Sequence, residues 1–294
     1  MKQESFGILL VFVASCCFGT LAIFGKYAEA SGLDTITLLT YRFSLGTVIL
    51  WAGLALWGRA RLLTGRALRI AVILGVLYAV FSTLFFWGIL FIPAGVAGIT
   101  FYTFPVIVYI LALKFLNETM TARKVIALIV ASIGVVFIIT GDETQINLLG
   151  VFLVFLAACG YAIYITGSRV ALASIAPDLL AGTALIATAA TFLIGGTFSG
   201  QLSVPTGTEQ WLIIGGIAVL GTALPLLLYV TGLQRIEASH AAIISTAEPL
   251  MTVLLGVILL NEGVTVTIIL GGGLVIAAVV VIQTDAAAEA RTVY

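Results

Sequence analysis

IPAGVAGITFYTFPVIVYILALKFLNETMT, residues 92–121, returns without a gap as IEASHAAIISTAEPLMTVLLGVILLNEGVT, residues 236–265. At a constant shift of 144, Ile92, Ala94, Ala97, Ile99, Pro105, Leu111, Leu116-Asn117-Glu118 and Thr121 meet Ile236, Ala238, Ala241, Ile243, Pro249, Leu255, Leu260-Asn261-Glu262 and Thr265. Apolar helices share a small alphabet, but a Pro, an Asn and a Glu held in register are not explained by alphabet. An internal repeat in so apolar a chain points to a carrier built from two halves around a path between them.

The solvent is a bilayer. The chain is 62% hydrophobic and 9% charged, with mean hydropathy +1.24, whereas a soluble domain is about one quarter charged. Stretches of about 18 or more apolar residues read as membrane helices. Ten are expected, near 6–26, 35–57, 67–91, 94–116, 121–140, 148–169, 177–199, 209–233, 238–260 and 264–283. They run continuously rather than alternating, which argues against a membrane barrel. The first is read as a retained helix, since no polar cleavage region follows it.

Basic residues set the orientation. Lys2, Arg59, Arg61, Arg66, Arg69, Arg123, Lys124, Arg169, Arg235 and Arg291 fall on one face if ten helices alternate. Asp142, Glu143 and Glu209 fall on the other, with Lys26 and Arg42 close by. Positive charge stays inside, so both termini are expected in the cytoplasm.

Ten helices divide into residues 1–144 and 145–294. The first segment also matches the sixth at a shift of 143: Gly7 with Gly150, Val11 with Val154, Phe12 with Phe155. Gly88 matches Gly232. Five spans per half force opposite insertion, so the fold class expected is an all-α membrane protein of two inverted five-helix repeats. One chain holds both halves, so a monomer is expected.

The pattern Gly88…Ala94…Pro105…Leu116-Asn117-Glu118, repeated as Gly232…Ala238…Pro249…Leu260-Asn261-Glu262, resembles the EamA repeat of the drug/metabolite transporter superfamily. The resemblance covers nearly the whole chain. Within the superfamily the chain looks like the YddG-type exporters of amino acids. That resemblance implies outward movement of aromatic and other hydrophobic amino acids across a bacterial inner membrane.

The path needs lining residues. Glu248 lies near the middle of the ninth segment, and an ionisable group at that depth faces a cavity or a partner. Ser245, Glu248 and Thr252 share a helical face. Glu248 reads as a group that attracts a substrate ammonium or carries a proton, or else as a buried carboxyl bonded to neighbouring helices. The matching face of the fourth segment carries Phe101 and Phe104. Tyr78, Ser82 and Phe85 share a face of the third, and Tyr161 and Tyr164 one of the sixth. Such rings either line a cavity for an amphipathic solute or pack helix on helix. Pro105 and Pro249 are expected to bend their helices. Ala94 with Gly98, and Ala238 with Ala242, are spaced for close helix approach. Arg42 is either a gate or a side chain snorkelling to the outer headgroups. His240, the only histidine, is either a gate or a solvated interfacial group.

Composition excludes other classes. Cys16, Cys17 and Cys159 form no CxxC and imply neither staple nor metal site. No cofactor is expected. Net charge is zero, so no nucleic-acid partner is implied; the partners expected are a small-molecule substrate and lipid. One mid-membrane carboxylate and one histidine build no dyad or metal centre, so the chain is not read as an enzyme. Drugs, sugars and nucleotide sugars remain alternative cargoes.

Overall fold

The computed structural model describes residues 2–88, 91, 100–116, 121–139, 147–260, 266, 269–274, 276–278 and 281. Much of the quoted repeat, Ala94, Gly98, Glu118, Glu262, Asp142, Glu143 and the tail from 282 onward lie outside them. The described elements are helical: α1 Lys2–Phe18, α2 Leu21–Ala30, α3 Thr35–Leu56, α4 Gly65–Gly88, α5 Phe104–Phe115, α6 Ala122–Ile139, α7 Leu148–Ala171, α8 Pro177–Ser199, α9 Thr208–Ala218, α10 Leu224–Leu233, α11 Ala238–Ile244 and α12 Ala247–Leu260. A short apolar helix, α13, covers Ile269–Ala278.

Six stretches are long and apolar enough to cross a membrane: Gln3–Gly25, Thr35–Leu56, Gly65–Gly88, Leu148–Ala171, Pro177–Ser199 and Thr208–Leu233. Phe104–Phe115 is apolar but shorter. Side chains such as Val48, Ile73, Phe152, Ile194 and Ile258 point outward and are more than half exposed. An outer surface this apolar suits lipid, not water. The chain is a multi-pass membrane protein.

Helix ends follow local chemistry. Asp34 caps α3, accepting from the Thr37 amide at 2.9 Å, and Asn147 caps α7 by accepting from the Leu149 amide at 2.9 Å. Each satisfies an amide that has no intrahelical acceptor. Pro177 opens α8 where its missing N–H costs nothing, and Gly200 closes it at φ 67°.

The halves interlock rather than sit side by side. In the first half α1 packs on α10, α3 on α8 and α9, α4 on α7 and α8, and α5 on α7 and α11. Two contacts are permutations of each other. A Cβ built on Gly232 would lie 2.7 Å from the Gly7 carbonyl oxygen and 2.7 Å from the Val11 side chain. A Cβ on Gly88 would lie 3.1 Å from the Gly150 carbonyl oxygen and 2.4 Å from the Val154 side chain. Gly7 and Val11 are the repeat partners of Gly150 and Val154. Absent side chains let these backbones touch, which is how helices associate when lipid is as apolar as leucine.

Two expectations shift. The first segment is not one helix but two, α1 and α2. In the ninth, the interruption precedes Pro249 instead of forming a bend at it. The helix stops at Ile244, turns through Ser245-Thr246 and restarts, leaving Pro249 in the first turn of α12.

Candidate functional site

Helices are interrupted at four places, and three of the interruptions meet. The first, at Gly19-Thr20, separates α1 from α2. The second, at Tyr102-Thr103, precedes α5, with Pro105 in its first turn. The third is a π-helical turn, Val219–Ala223, between α9 and α10. The fourth is Ser245-Thr246. The first and fourth touch: a Cβ on Gly19 would stand 2.9 Å from the Glu248 carbonyl oxygen, and Thr252 Oγ1 donates to the Gly19 carbonyl at 3.0 Å. The first and third touch as well, through Leu21 against Gly221. Irregular backbone at membrane depth is tolerated where protein buries it or where it lines a cavity.

Arg42 does not snorkel. It is 2% exposed, and its Nε donates to Thr222 Oγ1 at 2.8 Å while Nη2 donates to the Gly221 carbonyl at 3.0 Å. The reason is Pro225. It lacks the N–H that would bond Gly221 in a regular helix, so the π-turn offers a free acceptor. Thr222 in turn donates to the Ile217 carbonyl at 3.0 Å. The Tyr78 hydroxyl lies within hydrogen-bonding reach of the same guanidinium. A position read as a gate or headgroup anchor is thus an interior cation bound to a broken helix.

Glu248 sits across from it. The charges of Arg42 and Glu248 act on each other, and Glu248 is also felt by Tyr102, Tyr161 and Tyr229. Its side chain is mostly buried. Among the described residues its carboxylate has no hydrogen-bond or ion-pair partner, Arg42 included.

The aromatic residues come together. Tyr78 and Tyr161 lie halfway along α4 and α7. Phe101 stacks on Tyr161 with centroids 5.5 Å apart, and Phe104 meets Tyr161 edge-on at 4.8 Å. Phe85 meets Phe101 at 4.9 Å, and Tyr78 lies 5.2 Å from Tyr164. These geometries each contribute about a kcal/mol beyond burial. Ser82 is buried on α4. Ser245 is buried, and its hydroxyl donates to the Ala241 carbonyl at 2.8 Å, so it serves its own helix end.

His240 belongs to a different group. It is 1% exposed, not solvated, and its Nε2 lies 3.9 Å from Glu237 Oε2. The same carboxylate accepts from Lys124 Nζ. Lys124 is wholly buried, so this pair joins α6 to the link between α10 and α11.

Several participants were not singled out from the sequence. Phe43 stacks on Phe192 at 5.2 Å and meets Tyr78 edge-on at 5.2 Å. Phe81 stacks on Tyr78 at 4.8 Å. Tyr229 faces Ser245 and Tyr161. The signal for Arg42 was Pro225, a helix-interior proline whose orphaned carbonyl needs a donor.

Residues 5–140 and 148–284 each match the model of the EamA-like transporter family. The chain belongs to this family. Proteins with similar sequences include an uncharacterized transporter of Archaeoglobus fulgidus, 28% identical over 93% of this chain and 97% of the other. YcbK of Bacillus subtilis, also an uncharacterized transporter, is 23% identical over 93% and 91%. The threonine/homoserine exporter RhtA of Escherichia coli is 28% identical over 92% and 88%. A crystal structure with 19% identity superposes with a TM-score of 0.83, covering 94% of this chain and 96% of that one. It shares the fold. This EamA-like protein is a transporter and not an enzyme.

Proposed function

We propose that the chain exports small amphipathic metabolites, foremost aromatic and other hydrophobic amino acids, by alternating access around the meeting point of its helix breaks. The observation that carries this reading is Glu248: a mostly buried carboxylate with no hydrogen-bond partner among the described residues, within electrostatic reach of Tyr102 and Tyr161. Such a surface suits a solute with an apolar body and an ammonium. The printed role of RhtA, 28% identical, favours amino acids over other cargoes.

The architecture proposed is ten spans in two inverted halves, 1–144 and 145–294, working as a monomer in a bacterial inner membrane with both termini cytoplasmic. The glycine contacts favour inversion. Gly7 opens the first span and Gly88 closes the third, so the two equivalent contacts fall at opposite faces of the bilayer. An axis along the membrane normal would leave them on one face. Cysteine labelling of intact cells tests the orientation: positions 61 and 123 stay unlabelled from outside, and positions 143 and 209 react.

Proteoliposome counterflow tests the function. Preloaded phenylalanine, leucine or threonine drives uptake of the labelled amino acid, while cationic drugs and nucleotide sugars do not. Uptake of a drug or a sugar conjugate in place of amino acids overturns the substrate assignment. Repeating the assay with and without a pH gradient separates proton-coupled from uncoupled transport.

A further inference from the structure

We infer that Arg42 and Glu248 read the two ends of a zwitterionic α-amino acid, Arg42 taking the carboxylate and Glu248 the ammonium. The inference rests on the exporter reading above and adds a carboxylate-reading residue to it.

Arg42 is incompletely used. A guanidinium presents five N–H donors in a planar fork. One edge is spent on the π-turn, with Nε on Thr222 and Nη2 on Gly221. Both acceptors are neutral. No acid lies within ion-pair distance of Arg42 among the described residues. The remaining edge carries Nη1, and Tyr78 lies near the guanidinium. Such an edge presents two parallel N–H donors that match a carboxylate.

Glu248 is incompletely used in the complementary sense, since its oxygens accept from no described residue. Two opposite charges that sense each other without touching leave a polar gap. In a bilayer, an unclosed gap of this kind is costly. A zwitterion closes it from both ends at once, its carboxylate on the fork of Arg42 and its ammonium on Glu248. The Tyr78 hydroxyl then stands, in the empty protein, where a substrate oxygen goes. It moves aside for the substrate, because Arg42 lies beneath it and is almost fully covered. Phe101 stacks on Tyr161, which lies within electrostatic reach of Glu248, and these rings receive the apolar side chain.

The charges are fixed to different elements. Arg42 is anchored to the π-turn of the second half from α3 of the first. Glu248 stands on α12, whose first turn touches the Gly19 break. A bound zwitterion therefore bridges elements of both halves, as a substrate that moves them together must.

Competition binding on the purified full-length protein tests this. Labelled phenylalanine is displaced by phenylalanine, by phenylalaninamide, which lacks the carboxylate, and by 3-phenylpropionate, which lacks the ammonium. In the wild type each analogue binds about tenfold or more weakly than phenylalanine, the loss of one charge-assisted contact. In Arg42→Gln the preference for phenylalanine over the amide disappears, and the preference over phenylpropionate stays. Arg42→Lys retains a partial preference. Glu248→Gln shows the reverse loss. Thr222→Val weakens the anchor of Arg42 without touching its free edge and keeps both preferences. Equal wild-type affinity for the acid and the amide overturns the inference, even if Arg42→Gln does not fold. So does an amide penalty that survives Arg42→Gln. Failure of the wild type to bind any amino acid overturns the exporter reading itself.

Discussion

The Arg42 guanidinium donates to the carbonyl oxygen of Gly221 at 3.0 Å, an acceptor left free because Pro225, four residues on, has no amide hydrogen. A defect in one half is thereby completed by a charge from the other. π-Turns inside helices are frequent at functional sites, and this one has a specific occupant.

Thr222 shares the Arg42 guanidinium, so its hydroxyl is expected to matter more than its volume. Thr222→Val removes an acceptor from a buried cation and lowers stability by about 1.5–3 kcal/mol. Thr222→Ser keeps the oxygen and loses less. Thermal unfolding in detergent compares the two; equal losses remove the hydroxyl from the account.

Glycines fall into two groups. Gly75→Ala puts a Cβ 2.2 Å from the Ala184 carbonyl oxygen, and Gly232→Ala puts one 2.7 Å from that of Gly7. Each forces helices apart and costs about 1–3 kcal/mol. Gly53 and Gly195 meet nothing within 4 Å, and both lie inside helices. Alanine there is neutral or stabilising by about 0.5–1 kcal/mol. Melting temperatures of the four variants should separate in that order.

Lys124 and Glu237 are expected to be worth more broken than absent. Glu237→Gln takes the carboxylate away from a buried ammonium and costs about 2 kcal/mol or more, below the range for a fully dry pair because Glu237 keeps 31% of its side-chain surface. Lys124→Met with Glu237→Met recovers most of the loss. A double-mutant cycle on detergent stability reads the coupling.

Asp34 gives stability a dependence on acid. Partial burial pushes its carboxyl up, but hydrogen bonds from Thr37, Ser203 and the Ile36 amide outweigh burial and hold it below the usual carboxylate range. A carboxyl depressed in the folded state stabilises it above the unfolded pKa, about 4, and loses that contribution as pH falls through the folded value. Asp34→Ala is therefore less stable than wild type at neutral pH, and the difference shrinks below about pH 4. A constant difference across that range excludes the carboxylate as its source.

Hydropathy alone carried the membrane class, because twenty apolar residues have few other uses. The repeat located both prolines, since Pro is rare enough in apolar helices for coincidence to show, and Glu248 stood out as a lone ionisable group at mid-helix depth. Rings at helical spacing on the third, fourth and sixth segments did converge. What stayed hidden depended on partners far along the chain. Arg42 sits near a helix start, where snorkelling is the ordinary fate; only the orphaned Gly221 carbonyl, 179 residues away, draws it inward. His240 likewise looked interfacial because its cover comes from other helices. The break before Pro249 was missed because a proline can either bend a helix or end it, and local sequence does not choose.

The Lys124–Glu237 pair has no counterpart under the repeat, for a shift of 144 carries these positions to Ile268 and Pro93, which cannot bear opposite charges. In a carrier whose halves trade places, an ion pair across one end only makes the two end states unequal in free energy. Under the alternating access proposed above, the protein at rest is weighted toward the conformation in which Lys124 and Glu237 meet, and a turnover parts them. Loss of that pair should level the two populations and make the empty carrier less one-sided than its own sequence built it to be.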